Sequence, residues 1–329
     1  MTGKKTTMPR DSSPVRLAVV GVGHLGRHHA RVAAGLPGVR VVGIHDHHEG
    51  RADAVSREFG LRSLADLDAV AELAEAVVIA TPTVTHAELA RYFLERGCDV
   101  LIEKPMAETL AQADDVLARA RAGKRIVQVG HVERYNPAIE VALAMIEAPL
   151  FVEVHRLGLF TSRSLDVDVV LDLMIHDLQI VRALAGRPAA EIRAVGMPVL
   201  TPRVDIANAR IAFEGGCVAN LTASRVSDKR VRKCRVFASE LYVSIDMQEQ
   251  TVRAYRLSRE GGEPKIHPVE VPVTRAEPLA RELEDFARAV RERSAPLVSG
   301  EVGRDALALA TEVLAAIGEH RRSLETVPR

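Results

Sequence analysis

Gly21-Val22-Gly23-His24-Leu25-Gly26 is the stretch whose residue types and spacing carry the most chemistry. Between a strand and a helix, the first glycine permits a tight turn and the second lets the backbone approach a pyrophosphate. The third lets the helix pack close to the strand. The helix N-terminus, with its N–H groups and positive dipole end, then faces the phosphates. Asp46 stands 20 positions after Gly26. A carboxylate there accepts hydrogen bonds from an adenosine ribose diol and repels a 2′-phosphate, so the pattern predicts NAD over NADP. Other residues have the chemistry of proton transfer. Lys104 lies in Glu103-Lys104-Pro105, after an apolar run. Burial beside a cationic nicotinamide is expected to lower its basicity and make it a usable base or proton relay. Asp172 and His176 are four apart and are expected on one helix face, His176 as a second candidate base, with Asp172 orienting it or holding the substrate hydroxyl. Taken singly, each also fits a plain role: a surface lysine before a proline, a solvated helix face, a satisfied core histidine.

These residues need elements to hold them. Residues 15–20 are mostly apolar and β-branched, as in a strand buried on both faces, and residues 27–34 have no helix breaker. Strands are expected over 39–45, 76–80, 99–102 and 125–129, with helices over 50–59, 86–96 and 110–121 between them. This alternation predicts an α/β, doubly wound parallel sheet of the Rossmann type over residues 15–130. Ligands of such sheets lie at the C-terminal strand ends. Those ends carry the glycines, Asp46, Thr81-Pro82-Thr83, Glu103-Lys104-Pro105 and Gly130-His131. From residue 150 the rhythm changes to one strand, a helix over 169–184 and a series of short strands to 271, with Gly215-Gly216 as a hairpin turn. Two helices, over 278–293 and 302–321, close the chain. Residues 131–329 therefore read as an α+β domain on a mostly antiparallel open sheet. Val218, Leu221, Val236 and Ile245 are candidates for an apolar face on it.

Composition narrows the function classes. The 44 Lys and Arg balance 44 Asp and Glu, which removes any general attraction to nucleic acid or an anionic membrane. No apolar run approaches the ~20 residues of a membrane span. Residues 1–14 are polar, lack the apolar core of a secretory signal, and read as a flexible tail. The 3 cysteines are widely spaced and fit a reduced, cytoplasmic protein. His24, His28, His29, His45, His47 and His48 cluster without carboxylates or thiolates at ligand spacing, so no metal is expected.

Four motifs occur in order: Gly21-x-Gly23-x-x-Gly26, Ala80-Thr81-Pro82-Thr83-x-x-His86, Glu103-Lys104-Pro105 and Asp172-x-x-x-His176. Together they resemble the glucose–fructose oxidoreductase / inositol dehydrogenase family, over nearly the whole chain. Residues 130–137 (GHVERYNP) and 168–178 (DVVLDLMIHDL) resemble the branch acting on UDP-N-acetylglucosamine. The resemblance implies oxidation of the sugar 3-hydroxyl with NAD, followed by a partner aminotransferase that makes the 3-amino sugar of lipid A. It places Lys104, Asp172 and His176 in one catalytic site without settling which takes the proton. It places Gly21, Gly23, His24, Leu25, Gly26, Asp46, Thr81, Pro82, His86, Glu103 and Lys104 around the cofactor. It also implies a cis Lys104–Pro105 bond and a homodimer or homotetramer formed through the second sheet. Arg156, Arg163, Arg225, Lys229, Arg230 and Arg232 are cations suited to a diphosphate, or equally to a charged rim. Two other functions fit less of the pattern: a dehydrogenase of a free sugar or inositol, and a non-catalytic NAD-binding regulator.

Overall fold

The computed structural model describes residues 13–161, 167–259 and 263–325, so most of the expected tail and Arg163 lie outside the described residues. The first half alternates strands with helices, two helices standing between the second and third strands: β1 (Val15–Val20), α1 (His24–Gly35), β2 (Val39–His45), α2 (Glu49–Phe59), α3 (Leu67–Leu73), β3 (Ala76–Ile79), α4 (Thr83–Glu95), β4 (Asp99–Glu103), α5 (Leu110–Gly123) and β5 (Val127–Gly130). The five strands are parallel, in the order β2-β1-β3-β4-β5. The chain runs outward from β1 to β2 and then returns to β3. The order therefore reverses between β1 and β3, which opens a ligand crevice at their C-terminal ends. β3 and β4 are buried along their whole length, as continuous apolar runs between helical layers must be.

The second half begins with a 3₁₀ turn over Val132–Tyr135, α6 (Pro137–Met145), β6 (Phe151–Leu157), a π-turn over Val170–Met174 and α7 (Ile175–Ala185). Strands β7 (Ala189–Met197), β8 (Ile206–Phe213), β9 (Val218–Ser224), β10 (Val231–Phe237), β11 (Leu241–Asp246), β12 (Thr251–Ser258) and β13 (Lys265–Val269) follow, then α8 (Pro278–Glu292) and α9 (Gly300–Glu325). The eight strands form one sheet, ordered β13-β12-β11-β10-β6-β9-β8-β7, antiparallel except for β6 beside β9. One face packs on α6, α7 and α9 through Val154, Met174, Leu178, Leu221, Val236 and Val313. The last two helices tie the sheets together. Leu283 and Phe286 of α8 join the core around β1 and α1. Gly303 of α9 lies so close to β5 that a Cβ would sit 2.3 Å from Val129 Cγ2.

Several local features depart from the sequence expectation. α3 and α6 are additional helices, each started by a side-chain cap: Asp66 accepts from the Ala69 amide at 2.8 Å and Asn136 from the Ala138 amide at 3.1 Å. α4 begins at Thr83, directly after Pro82, rather than at His86. The single helix expected over 169–184 divides into the π-turn and α7. Leu221, Val236 and Ile245 are not on the open face of the second sheet; they belong to its buried core. Strand periodicity alternates faces but does not say which one the helices cover. Val218 does lie opposite Phe151 on the open face, where Phe151, Phe237, Tyr242 and Tyr255 form a row with ring centroids 5.9, 4.9 and 6.1 Å apart.

Candidate active site

The crevice at the β1/β3 switch point is built by its glycines. Gly21 has φ +81°, in the left-handed region, and a Cβ there would meet Thr81 Cγ2 at 2.7 Å. A Cβ on Gly26 would lie 1.7 Å from the Gly21 carbonyl oxygen, so α1 can sit this close to the turn only with glycine. A Cβ on Gly23 would meet nothing within 4 Å, so the backbone there borders open space. No side chain caps the N-terminus of α1 and its first turn carries no acid, as suits a helix end meant for phosphate. At the tip of β2, Asp46 accepts from the amides of Val22 and His48, both at 2.9 Å. Arg51 Nη1 lies 3.2 Å from each of its oxygens. Burial alone would raise the Asp46 carboxyl, but these amides and Arg51 hold it below the usual carboxylate range. The cleft between β1, β2 and α4 encloses about 420 Å³ and is lined by Gly21, His45, Asp46, Leu67, Thr81 and Leu89. Glycine turn, uncapped helix end, carboxylate and apolar slot together fit a dinucleotide.

Thr81 and Pro82 stand at the mouth of this cleft. Leu25 is exposed on the first turn of α1, where His24 packs edge-on against His28. His86 and Glu103 depart from the expectation of direct cofactor contact. The buried His86 ring is held between the Pro105 carbonyl, 2.9 Å from Nδ1, and the Thr81 carbonyl, 2.8 Å from Nε2. It braces two strand-end loops; burial lowers its basicity, and the two carbonyls oppose that shift. The Glu103 carboxylate turns away from the crevice toward α1, where it accepts from His29 Nε2 at 2.7 Å and from the Lys104 amide at 3.1 Å. Burial opposes its ionisation, but His29 and Lys104 hold it low. Glu282 of α8 completes a buried group with His29 and Glu103, with side-chain atoms within 4.8 Å. Burial, and then Glu103, push the Glu282 carboxyl well above its ordinary value.

Lys104 follows β4, and its bond to Pro105 is cis. Its Nζ donates to the Asp172 carbonyl at 2.6 Å and lies 3.2 Å from Asp172 Oδ1. Asp172 therefore holds Lys104 rather than orienting His176. The π-turn places Asp172 on this path, while His176 lies on the first turn of α7. His176 packs instead on His131, at the end of β5, with the rings 5.7 Å apart and nearly perpendicular. His176 Nδ1 and both nitrogens of His131 are buried without a partner. Burial, followed by the charge of Lys104, pushes His131 down to about 4 and His176 well below the ordinary imidazole value. Two neutral imidazoles thus lie beside a Lys–Asp pair at the strand ends.

Beneath them runs a buried charged floor. Arg156 of β6 forms a fork on Asp177 at 2.7 and 2.8 Å and donates to Glu133 at 2.8 Å. Arg232 donates to the same Glu133 oxygen at 2.8 Å. Of the cations considered for a diphosphate, Arg156 is committed to this floor, and Arg225 is buried and donates to the Val167 carbonyl. Lys229 and Arg230 are exposed in the β9–β10 turn, and Arg232 is half-buried. The sequence reading put His131 at a ligand-bearing strand end but not against His176, and it missed the charged floor. One signal was available: Arg156 occupies an inward position of a strand whose other inward residues, Val152 and Val154, are apolar.

Comparison with known proteins decides the family. Residues 15–131 match the model of the oxidoreductase family with an NAD-binding Rossmann fold, and residues 151–243 match the GFO/IDH/MocA C-terminal domain. The chain belongs to the GFO/IDH/MocA oxidoreductase family. It is therefore an NAD-binding oxidoreductase, in keeping with the glycine turn and Asp46. A UDP-N-acetylglucosamine 3-dehydrogenase of Acidithiobacillus ferrooxidans is 36% identical over 306 residues, spanning 92% of this chain and 97% of that protein. A solved structure of that enzyme superposes with a TM-score of 0.86 over 92% of this chain and 98% of the other. A scyllo-inositol 2-dehydrogenase (NAD(+)) of Bacillus subtilis is 28% identical, covering 87% of this chain and 89% of its own. Levoglucosan dehydrogenase, solved with NADH and levoglucosan, has a TM-score of 0.83 at 18% identity over 93% of this chain and 98% of its own, and shares the fold.

Proposed function

We propose that this member of the family oxidises the 3-hydroxyl of a UDP-hexosamine, UDP-N-acetylglucosamine, to the 3-keto sugar. The carrying observation is the 36% identity, over nine-tenths of both chains, with an enzyme named for that reaction. Residues 15–130 bind the cofactor in this reading, and residues 131–329 bind the sugar nucleotide and associate with a second copy. When bound, NAD supplies the hydride acceptor. Lys104, fixed by two hydrogen bonds to Asp172, keeps a third N–H for the substrate oxygen. His176, held neutral, takes the hydroxyl proton as the carbon loses hydride; its nitrogen away from the buried Nδ1 is the one that meets substrate. His131 and the Arg156 floor fix the ring and the helix that carry it. The keto sugar is the substrate class of an aminotransferase, which in this reading leads to the amino sugar of lipid A in the cytoplasm. Among the described residues no helix is long and apolar enough to cross a membrane.

The test is NADH formation at 340 nm on a panel of UDP-sugars, followed by locating the new carbonyl by NMR. Reduction of NAD only by substrates without a nucleotide would favour a second reading, a free-sugar or inositol dehydrogenase, supported by the relative named for scyllo-inositol. Titration with UDP separates the two, because only the first needs a nucleotide pocket. No NADH formation with any of these substrates would favour a regulator.

A further inference from the structure

Among the described residues, His29 of α1, Glu103 at the end of β4 and Glu282 of α8 gather three metal-ligating side chains in the protein interior. Their ligating atoms lie within 4.8 Å of one another, and the residues are 0%, 6% and 0% exposed, respectively. His29 Nε2 meets Glu103 at 2.7 Å, but both oxygens of Glu282 and the other nitrogen of His29, Nδ1, are buried without a partner. Gln128 of β5 adds a further atom of this kind. Its Nε2 donates to the Glu282 carbonyl at 3.0 Å, and its buried Oε1 has no partner. The charged groups that act on the Glu282 carboxyl, Glu103 and Asp285, are both acidic. A proton on Glu282 would be a donor with no acceptor of the chain at hydrogen-bond distance.

Buried carboxylates are stable when paired or when they coordinate a metal, and two carboxylates with an imidazole form a metal's donor set. We propose that His29, Glu103 and Glu282 hold a divalent cation, with Zn²⁺ as the expected occupant, which ties α8 to α1 and β4. The two carboxylates balance its charge, and the imidazole favours a transition ion over Mg²⁺ or Ca²⁺. In a tetrahedral site with bonds of about 2.1 Å, ligand atoms lie about 3.4 Å apart. That spacing falls between the 2.7 Å contact of His29 with Glu103 and the 4.8 Å limit of the group. Binding therefore opens the first contact slightly and draws Glu282 inward. Gln128 Oε1 or a water fills the fourth position. Residue spacing conceals the set, because Glu103 lies 74 positions from His29 and Glu282 is on the penultimate helix. The site shares no residue with Lys104, Asp172 and His176, so it stands or falls apart from the reaction proposed above.

The experiment is elemental analysis of the full-length protein, wild type and Glu282→Gln, expressed with added zinc and then passed through a chelator that strips exposed histidines. The wild type is expected to keep about one equivalent of zinc per chain, because its ligands are buried. Glu282→Gln has the same shape without the charge and should keep less than about half of the wild-type amount. Refolded with chelator, the wild type should melt several degrees lower than when refolded with ZnCl₂, and the variant should melt at one temperature in both. X-ray absorption at the zinc edge, which needs only the wild type, should show one imidazole in a shell of oxygen donors. One equivalent of another divalent metal, lost in the variant, also supports the site. Several results overturn the proposal: a wild type with less than about half an equivalent of metal, or a variant that keeps half or more of the wild-type amount. A wild-type melting temperature indifferent to chelator on refolding, or a zinc shell with sulfur or several imidazoles, overturns it equally.

Discussion

Replacing Gly26 and Gly23 by alanine, one at a time, separates the packing of the nucleotide turn from its binding surface. At Gly26 the added Cβ would lie 1.7 Å from the Gly21 oxygen and 2.8 Å from its carbonyl carbon. Restoring a 3.0 Å contact requires a shift of about 1.3 Å. The Gly21 peptide is tied to β2 through its amide, which donates to the His45 carbonyl at 2.8 Å, so α1 is the part that moves. Overpacking of this kind costs ~1–3 kcal/mol, and each kcal/mol lowers Tm by about 2–4 °C in a chain of this order of size. Gly26→Ala is therefore expected to melt several degrees lower, and to bind NADH at least about tenfold more weakly because the helix end has retreated. At Gly23 the backbone φ is −64°, open to any residue, and the Cβ meets no protein atom. Gly23→Ala should keep its Tm, or gain slightly from a less flexible unfolded chain, yet lose NADH affinity, because the methyl group fills the approach of the pyrophosphate. The assays are calorimetric melting and isothermal titration with NADH. If Gly23→Ala melts as low as Gly26→Ala, or if Gly26→Ala matches wild type in both measurements, this account of the turn is wrong.

Lys104→Ala is expected to lower single-turnover NADH formation by ~10²–10⁴-fold with NAD binding nearly intact, and the double change with His176→Ala should be little worse than the poorer single; multiplicative losses would mean independent roles. The kcat/KM profile should stay level as pH falls through the ordinary imidazole range, since His176 is held well below it; an acid limb near pH 6.5 would remove His176 as the neutral base. His131 binds its proton at about 4 in the folded chain and near 6.5 when unfolded, so the unfolded state holds more protons between those values and stability falls as pH drops through that window. His131→Asn should flatten that part of a Tm-against-pH curve; an unchanged slope would refute the assignment. Light scattering at micromolar concentration should give a dimer or tetramer, formed through the open face that carries Phe237 and Tyr255, respectively 37% and 38% exposed; a monomer would refute it.

The parts of this protein legible from its sequence are those governed by local rules. A buried strand must be an apolar run, a left-handed turn position favours glycine, and a carboxylate 20 residues on marks the end of the second strand. These requirements act over a few residues, so Gly21, Gly23, Gly26, Asp46 and both sheets could be read without coordinates. The pairing of side chains is governed by distance in space. Lys104 and Asp172 are 68 positions apart, and only the fold joins them. A four-residue spacing suggested that Asp172 serves His176, but a π-turn gives Asp172 to Lys104 and leaves His176 against His131. The same limit applies to Glu103 and His86, whose motifs placed them at the crevice while packing turned their polar atoms to His29, Thr81 and Pro105. Which face of the second sheet is covered was likewise decided by α6, α7 and α9, because alternation along a strand is symmetric until something packs on one side.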